Sequence, residues 1–196
     1  MDDSQNQANG ARRHVPNIVT FARAGVAVPY FVVLAFPESA PAMRAAIALF
    51  LFSMMGDVVD GWLARRWNAE SVLGRVMDPF IDKVVICGSL VYCINIPPRI
   101  VAPWMVVLIL VREMGITSLR GYVESLGHNF KASVWGKLKT FTQCVAIVSV
   151  LVVGAQADPA PWTLTFTHMA VWAMVTVVAI SGLTYLVRGI AMVRGE

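Results

Sequence analysis

Six stretches of this 196-residue chain are each close to the length of a membrane-spanning helix and mostly apolar: about residues 17–36, 43–65, 77–96, 103–122, 134–155 and 163–187. A helix needs roughly 20 predominantly apolar residues to cross the hydrocarbon core of a bilayer. The pattern therefore predicts an all-α integral membrane protein of six transmembrane helices. Composition agrees, with 57% hydrophobic and 14% charged residues, against about 45–50% and about 25% in an ordinary soluble domain. Pro37 and Pro41 bracket the first connection, Pro97 and Pro98 mark the third, and Pro159 and Pro161 the fifth, as expected of residues that interrupt helices.

The charges orient the bundle. Arg12, Arg13, Arg65, Arg66, Arg75, Arg120, Lys131, Lys137, Lys139, Arg188 and Arg194 belong to the two ends of the chain and to the second and fourth connections. The other connections hold little beyond Arg44 and Arg99. Positive residues concentrate on cytoplasmic segments, so both termini are expected in the cytoplasm, which requires an even number of spans.

Residues 1–15 are polar, with Asp2 and Asp3 followed by Arg12, Arg13 and His14. A short helix lying on the anionic inner leaflet and a disordered tail are equally compatible with them. A secretory signal would need a short apolar core and a small-residue cleavage site, whereas the stretch after Pro16 is long enough to stay in the membrane. Residues 16–196 then form one domain. Cys87, Cys93 and Cys144 fall inside apolar runs at no zinc or redox spacing and read as buried thiols. His14, His128 and His168 are likewise isolated.

Four aspartates, Asp57, Asp60, Asp78 and Asp82, sit near the membrane boundary in the second and third spans. Carboxylates in a spanning helix are expensive and by default mark a functional site. At 100° per residue, Asp57, Asp60, Gly61, Ala64 and Arg65 share an arc of about 140°, and Gly74, Asp78 and Asp82 one of about 80°. Two helices joined by a short turn over residues 67–73 would aim all four carboxylates into one cleft. Such a cluster repels itself unless cations are bound. Hard oxygen ligands suit magnesium, calcium or manganese, and the lack of paired His or Cys argues against zinc. Gly61, Ala64 and Gly74 would let a nucleotide and its pyrophosphate approach the backbone, although small residues are also common where membrane helices pack.

The run Asp57-Val-Val-Asp60-Gly61-Trp-Leu-Ala64-Arg65, then eight residues, Gly74, three residues, Asp78, three residues and Asp82 resembles the CDP-alcohol phosphotransferase signature at all eight fixed positions. The likeness continues from Pro16 to the start of the fifth span. Three further segments resemble the branch of this family that makes phosphatidylglycerophosphate: Asn17-Ile-Val-Thr20-Phe-Ala-Arg23, Arg112-Glu113 with Leu119-Arg120, and Gly136-Lys137-Leu-Lys139-Thr140-Phe-Thr-Gln143.

The resemblance implies the CDP-alcohol phosphotransferase fold, a multi-pass protein of the inner membrane with its site facing the cytoplasm, and a homodimer. It implies transfer of the phosphatidyl group of CDP-diacylglycerol to glycerol 3-phosphate with release of CMP, dependent on Mg2+ or Mn2+ with two ions per site. Asp57, Asp60 and Asp78 would be metal ligands with Asp82 near them. Asp82 is the candidate general base. Gly61, Ala64 and Gly74 would border the cytidine, and Arg65 would contact phosphate. Asn17, Thr20 and Arg23 are candidate CDP-lipid contacts, although Asn17 also suits a helix cap after Pro16. Arg112, Arg120, Lys137 and Lys139 would hold the acceptor phosphate by charge-assisted bonds, or be boundary charge alone.

Competing acceptors are phosphatidylglycerol, which would give cardiolipin, and serine, inositol or inositol phosphate. A divalent-cation or proton transporter is a distant alternative. Its ionisable groups should run through the depth of the bilayer, whereas these acids cluster near one face.

Overall fold

The computed structural model describes residues 24–67, 72–126 and 134–194. Within these ranges it describes all side chains except those of residues 57–67, 72–76, 78, 79, 124, 134, 135 and 191–194. Six helices and no strand occur among the described residues. The helix α1 covers Ala24–Leu34, followed by α2 (Ala40–Trp67), α3 (Val72–Cys93), α4 (Pro103–Ser125), α5 (Val134–Gly154) and α6 (Pro161–Arg194). The all-helical fold expected from the hydropathy pattern is the one observed. Residues 1–15, Asn17, Thr20 and Arg23 lie outside the described residues.

Local chemistry sets the helix starts. Ser39 precedes α2, where its Oγ accepts from the Ala42 N–H at 3.4 Å, satisfying one of the donors that a helix start leaves without a partner. Pro103 and Pro161 each open a helix, the position where a missing N–H costs nothing. The helices outrun the apolar windows at the polar ends: α3 starts five residues before residue 77, and α6 continues seven residues past 187. Backbone hydrogen bonding carries a helix beyond the apolar stretch that hydropathy detects. At about 1.5 Å per residue, the 34 residues of α6 exceed the roughly 30 Å hydrocarbon core.

Among the described residues, two segments, Gly136–Gly154 and Pro161–Ile190, are long and apolar enough by themselves to cross a membrane, and the described parts of α1 and α2, Ala24–Leu34 and Ala40–Gly56, are apolar as well.

Apolar side chains fill the interior and also cover the outside. Phe50, Leu90, Ile109, Ile147, Leu151 and Met174 are fully buried, yet Phe52, Phe80, Val111, Phe141, Trp162 and Met169 are exposed on five different helices. Extended exposed apolar surface marks contact with a membrane or with protein.

Close approaches tie the helices together. Tyr30 Oη on α1 and Ser89 Oγ on α3 share a hydrogen bond of 2.6 Å, and Phe31 stacks on Tyr92 with ring centroids 5.8 Å apart. Trp104 of α4 meets Trp172 of α6 at 6.0 Å. A Cβ at Gly189 of α6 would lie 2.5 Å from Leu119 Cδ2 of α4, so the Leu119 side chain packs directly on the bare α6 backbone.

Candidate active site

The signature residues occupy the expected elements. Asp57, Asp60, Gly61, Ala64 and Arg65 fall in the last turns of α2, and Gly74, Asp78 and Asp82 in the first half of α3. All eight have helical backbone, so each helix carries its set with the phase deduced above. The side chains of the first seven lie outside those described. Asp82 is described, and it is half-buried.

Asp82 borders a polar cavity of about 180 Å³ between α3, α4 and α5. Asp82 and Lys83 line it from α3, Glu113 from α4, and Lys139, Thr140 and Gln143 from α5, with Ile86 and Cys87 completing the wall. The helical period explains this selection. Asp82 and Ile86 are four residues apart, as are Lys139 and Gln143, and residues at that separation lie one above the other on a single face.

Glu113 organises the charges. It is 7% exposed, and its Oε1 accepts from Arg112 Nη1 at 3.0 Å and from Lys139 Nζ. Buried charges are tolerated when paired and hydrogen-bonded, and one carboxylate here serves two cations. Lys83 Nζ donates to Thr117 Oγ1 at 2.6 Å, and that hydroxyl donates to the Glu113 backbone carbonyl at 2.7 Å. A third cation is thereby anchored to the same turn of α4.

Arg112 turns toward α6. Its Nη2 donates to Ser181 Oγ at 3.1 Å, and its guanidinium lies over the Tyr185 ring at 5.6 Å. Of the four cations expected to hold the acceptor phosphate, Lys139 lines the cavity and Arg112 stands behind Glu113. Lys137 is exposed and Arg120 half-buried, and neither lines the cavity.

Glu113, Lys83 and Gln143 belong to the site although no role was given to them from sequence. The rule that singled out the aspartates, that ionisable residues inside an apolar span are costly, applies equally to Glu113. Gln143 stands in a stretch that already resembled the family.

Comparison with known proteins gives the family. The family model for CDP-alcohol phosphatidyltransferase matches residues 13–181. The chain belongs to the CDP-alcohol phosphatidyltransferase family. A CDP-diacylglycerol–glycerol-3-phosphate 3-phosphatidyltransferase of Bacillus subtilis (strain 168) is 29% identical over 184 residues, covering 88% of this chain and 93% of its own. Proteins of the same name from Salmonella paratyphi A and Rickettsia typhi are 32% and 28% identical, over 70% and 88% of this chain and 76% and 95% of theirs. Membership in the family makes this a membrane-associated transferase.

A second, apolar groove of about 520 Å³ runs between α2, α5 and α6. Met54 and Leu51 border it, as do Phe141, Cys144, Val148 and Phe166. Met54 stands one turn before Asp57 on α2, so the groove starts near the signature and descends along the helices.

Proposed function

We propose that this chain transfers the phosphatidyl group of CDP-diacylglycerol to glycerol 3-phosphate, forming phosphatidylglycerophosphate and CMP. Family membership and the named relatives support the reaction. The observation that carries the acceptor is that Asp82, the last carboxylate of the signature, shares a small polar cavity with Lys83 and Lys139. A water-soluble phosphorylated alcohol suits such a cavity, whereas a diacylated acceptor would need a side opening between helices.

In this reading Asp57, Asp60 and Asp78 would hold divalent cations, Mg2+ or Mn2+, two per site, with Asp82 beside them. The donor set is made of hard oxygens, which suit these ions. When bound there, such ions would supply positive charge against the donor pyrophosphate. Gly61, Ala64, Arg65 and Gly74 receive the nucleotide end, with Asn17, Thr20 and Arg23 as further contacts.

The acceptor hydroxyl forms a bond to the phosphorus that carries diacylglycerol, and the bond from that phosphorus to the CMP oxygen breaks. Asp82 removes the hydroxyl proton as the bond forms. Lys139 has three donor hydrogens, so it can keep Glu113 and still bond a phosphate oxygen of the acceptor. Glu113 holds that ammonium in place before substrate arrives. The apolar groove beside α2 suits an acyl chain of the donor, which stays in hydrocarbon while the headgroup reacts.

The chain is placed in the cell's inner membrane with six spans, both termini and the cavity on the cytoplasmic side, and as a homodimer. The positive-inside bias supports the orientation. The test is CMP release by purified protein with CDP-diacylglycerol, Mg2+ and separate acceptors. Fastest release with glycerol 3-phosphate supports the assignment. Faster release with phosphatidylglycerol, inositol phosphate or serine keeps the chemistry and replaces the acceptor.

A further inference from the structure

The reaction derived above gives Gln143, a polar group of the cavity, no task. Gln143 is 1% exposed, and its amide Nε2 is buried with no hydrogen-bond partner. It lines the same cavity as Asp82, Glu113 and Lys139. A buried amide donor left unpaired destabilises the fold. Leucine or methionine of similar size would fill the position without that penalty, so packing alone gives no reason for an amide here.

We propose that Gln143 determines acceptor specificity by hydrogen-bonding the hydroxyl on the middle carbon of glycerol 3-phosphate. The inference rests on the proposed acceptor. The acceptor has three polar groups, and the cavity offers a separate partner for each. Lys139 takes the phosphate, and Asp82 on the facing helix takes the proton of the attacking terminal hydroxyl. Gln143 lies four residues from Lys139 on the same face of α5, about 6 Å further along its axis, within the span of a three-carbon molecule. Its amide both donates and accepts, which matches a hydroxyl. A second phosphate would call for a cation at this position, and a methylene for an apolar side chain.

The experiment compares two acceptors in the full-length protein: glycerol 3-phosphate, and 3-hydroxypropyl phosphate, which lacks only the middle hydroxyl. CMP release gives kcat and KM for each acceptor in wild type, Gln143→Met and Gln143→Asn. Wild type should favour glycerol 3-phosphate in kcat/KM by about tenfold or more, the scale of one hydrogen bond to a buried group. Gln143→Met should erase that preference while keeping its turnover of 3-hydroxypropyl phosphate, its KM for CDP-diacylglycerol and a thermal midpoint at least as high as wild type. Gln143→Asn, which withdraws the amide by one methylene, should lower the preference part-way, and it decides the matter if the methionine variant does not fold. Retention of the full preference in both variants overturns the inference. So does an equal loss with both acceptors accompanied by lost thermal stability, which would make Gln143 a packing residue. A wild-type enzyme that turns over another acceptor and not glycerol 3-phosphate overturns instead the function on which the inference rests.

Discussion

Glu113 is the residue on which the cavity's charge arrangement depends. Its side chain is 9% exposed, and the partner side chains Arg112 and Lys139 are 9% and 13% exposed, so the water-poor surroundings screen the pairs little. Removing one partner of a buried pair costs about 3–5 kcal/mol, because the remaining charge stays buried and uncompensated. Glu113→Ala should therefore lower the thermal midpoint strongly, and adding Lys139→Met should recover part of the loss by removing surplus positive charge. Strictly additive effects across this double-mutant cycle would contradict the coupling. Asp82→Asn should abolish turnover while CDP-lipid and metal binding, followed by calorimetry, persist; loss of both removes the base assignment. At this scale the sequence was informative about identity and phase. Asp82 and Lys139 stood out from spacing and resemblance. That Arg112 spends its donors on Glu113 and on Ser181 of α6 depends on contacts across helices, which no single-helix period reveals.

At the scale of elements, α5 separates two environments. Lys139 and Gln143 face the polar cavity, while Phe141, Cys144 and Val148 border the apolar groove. If the groove seats an acyl chain, Val148→Trp should raise KM for long-chain CDP-diacylglycerol several-fold and leave a short-chain analogue unaffected. An equal effect on both would show that the groove lies apart from the substrate. The contact of α4 with α6 makes a second prediction. Gly189→Val would press on Leu119, and overpacking of this kind costs about 1–3 kcal/mol. Nothing lies within 4 Å of a Cβ added at Gly115, so Gly115→Ala should leave the thermal midpoint level or raise it, by up to about 1 kcal/mol of helix propensity. Comparable destabilisation by the two substitutions would contradict this packing. Helix positions were readable from apolar runs and prolines because both follow from local chemistry. Helix ends were not, since hydropathy falls away before backbone hydrogen bonding does.

For the whole molecule, the apolar shell around an apolar core points to a bilayer, and in the proposed six-span topology the arginine and lysine residues gather on one side of it. A reporter fused after Glu196 should behave as cytoplasmic, and one inserted between α5 and α6, near Asp158, as external. Both reporters on one side would refute the six-span topology. The fold class and the reaction class were legible from the sequence because apolar length and the eight-position signature are one-dimensional patterns. The cavity was not, because it gathers residues from three helices whose neighbours only the folded chain defines. The central claim, phosphatidyl transfer to glycerol 3-phosphate, is tested most directly by one measurement. Purified protein in vesicles is given CDP-diacylglycerol, Mg2+ and glycerol 3-phosphate labelled in its phosphate, and the label reaching lipid is counted against CMP formed. The account predicts one labelled phosphatidylglycerophosphate per CMP, with none formed when the metal is chelated. CMP release without label in lipid, or no release from folded, metal-supplied protein, would contradict it.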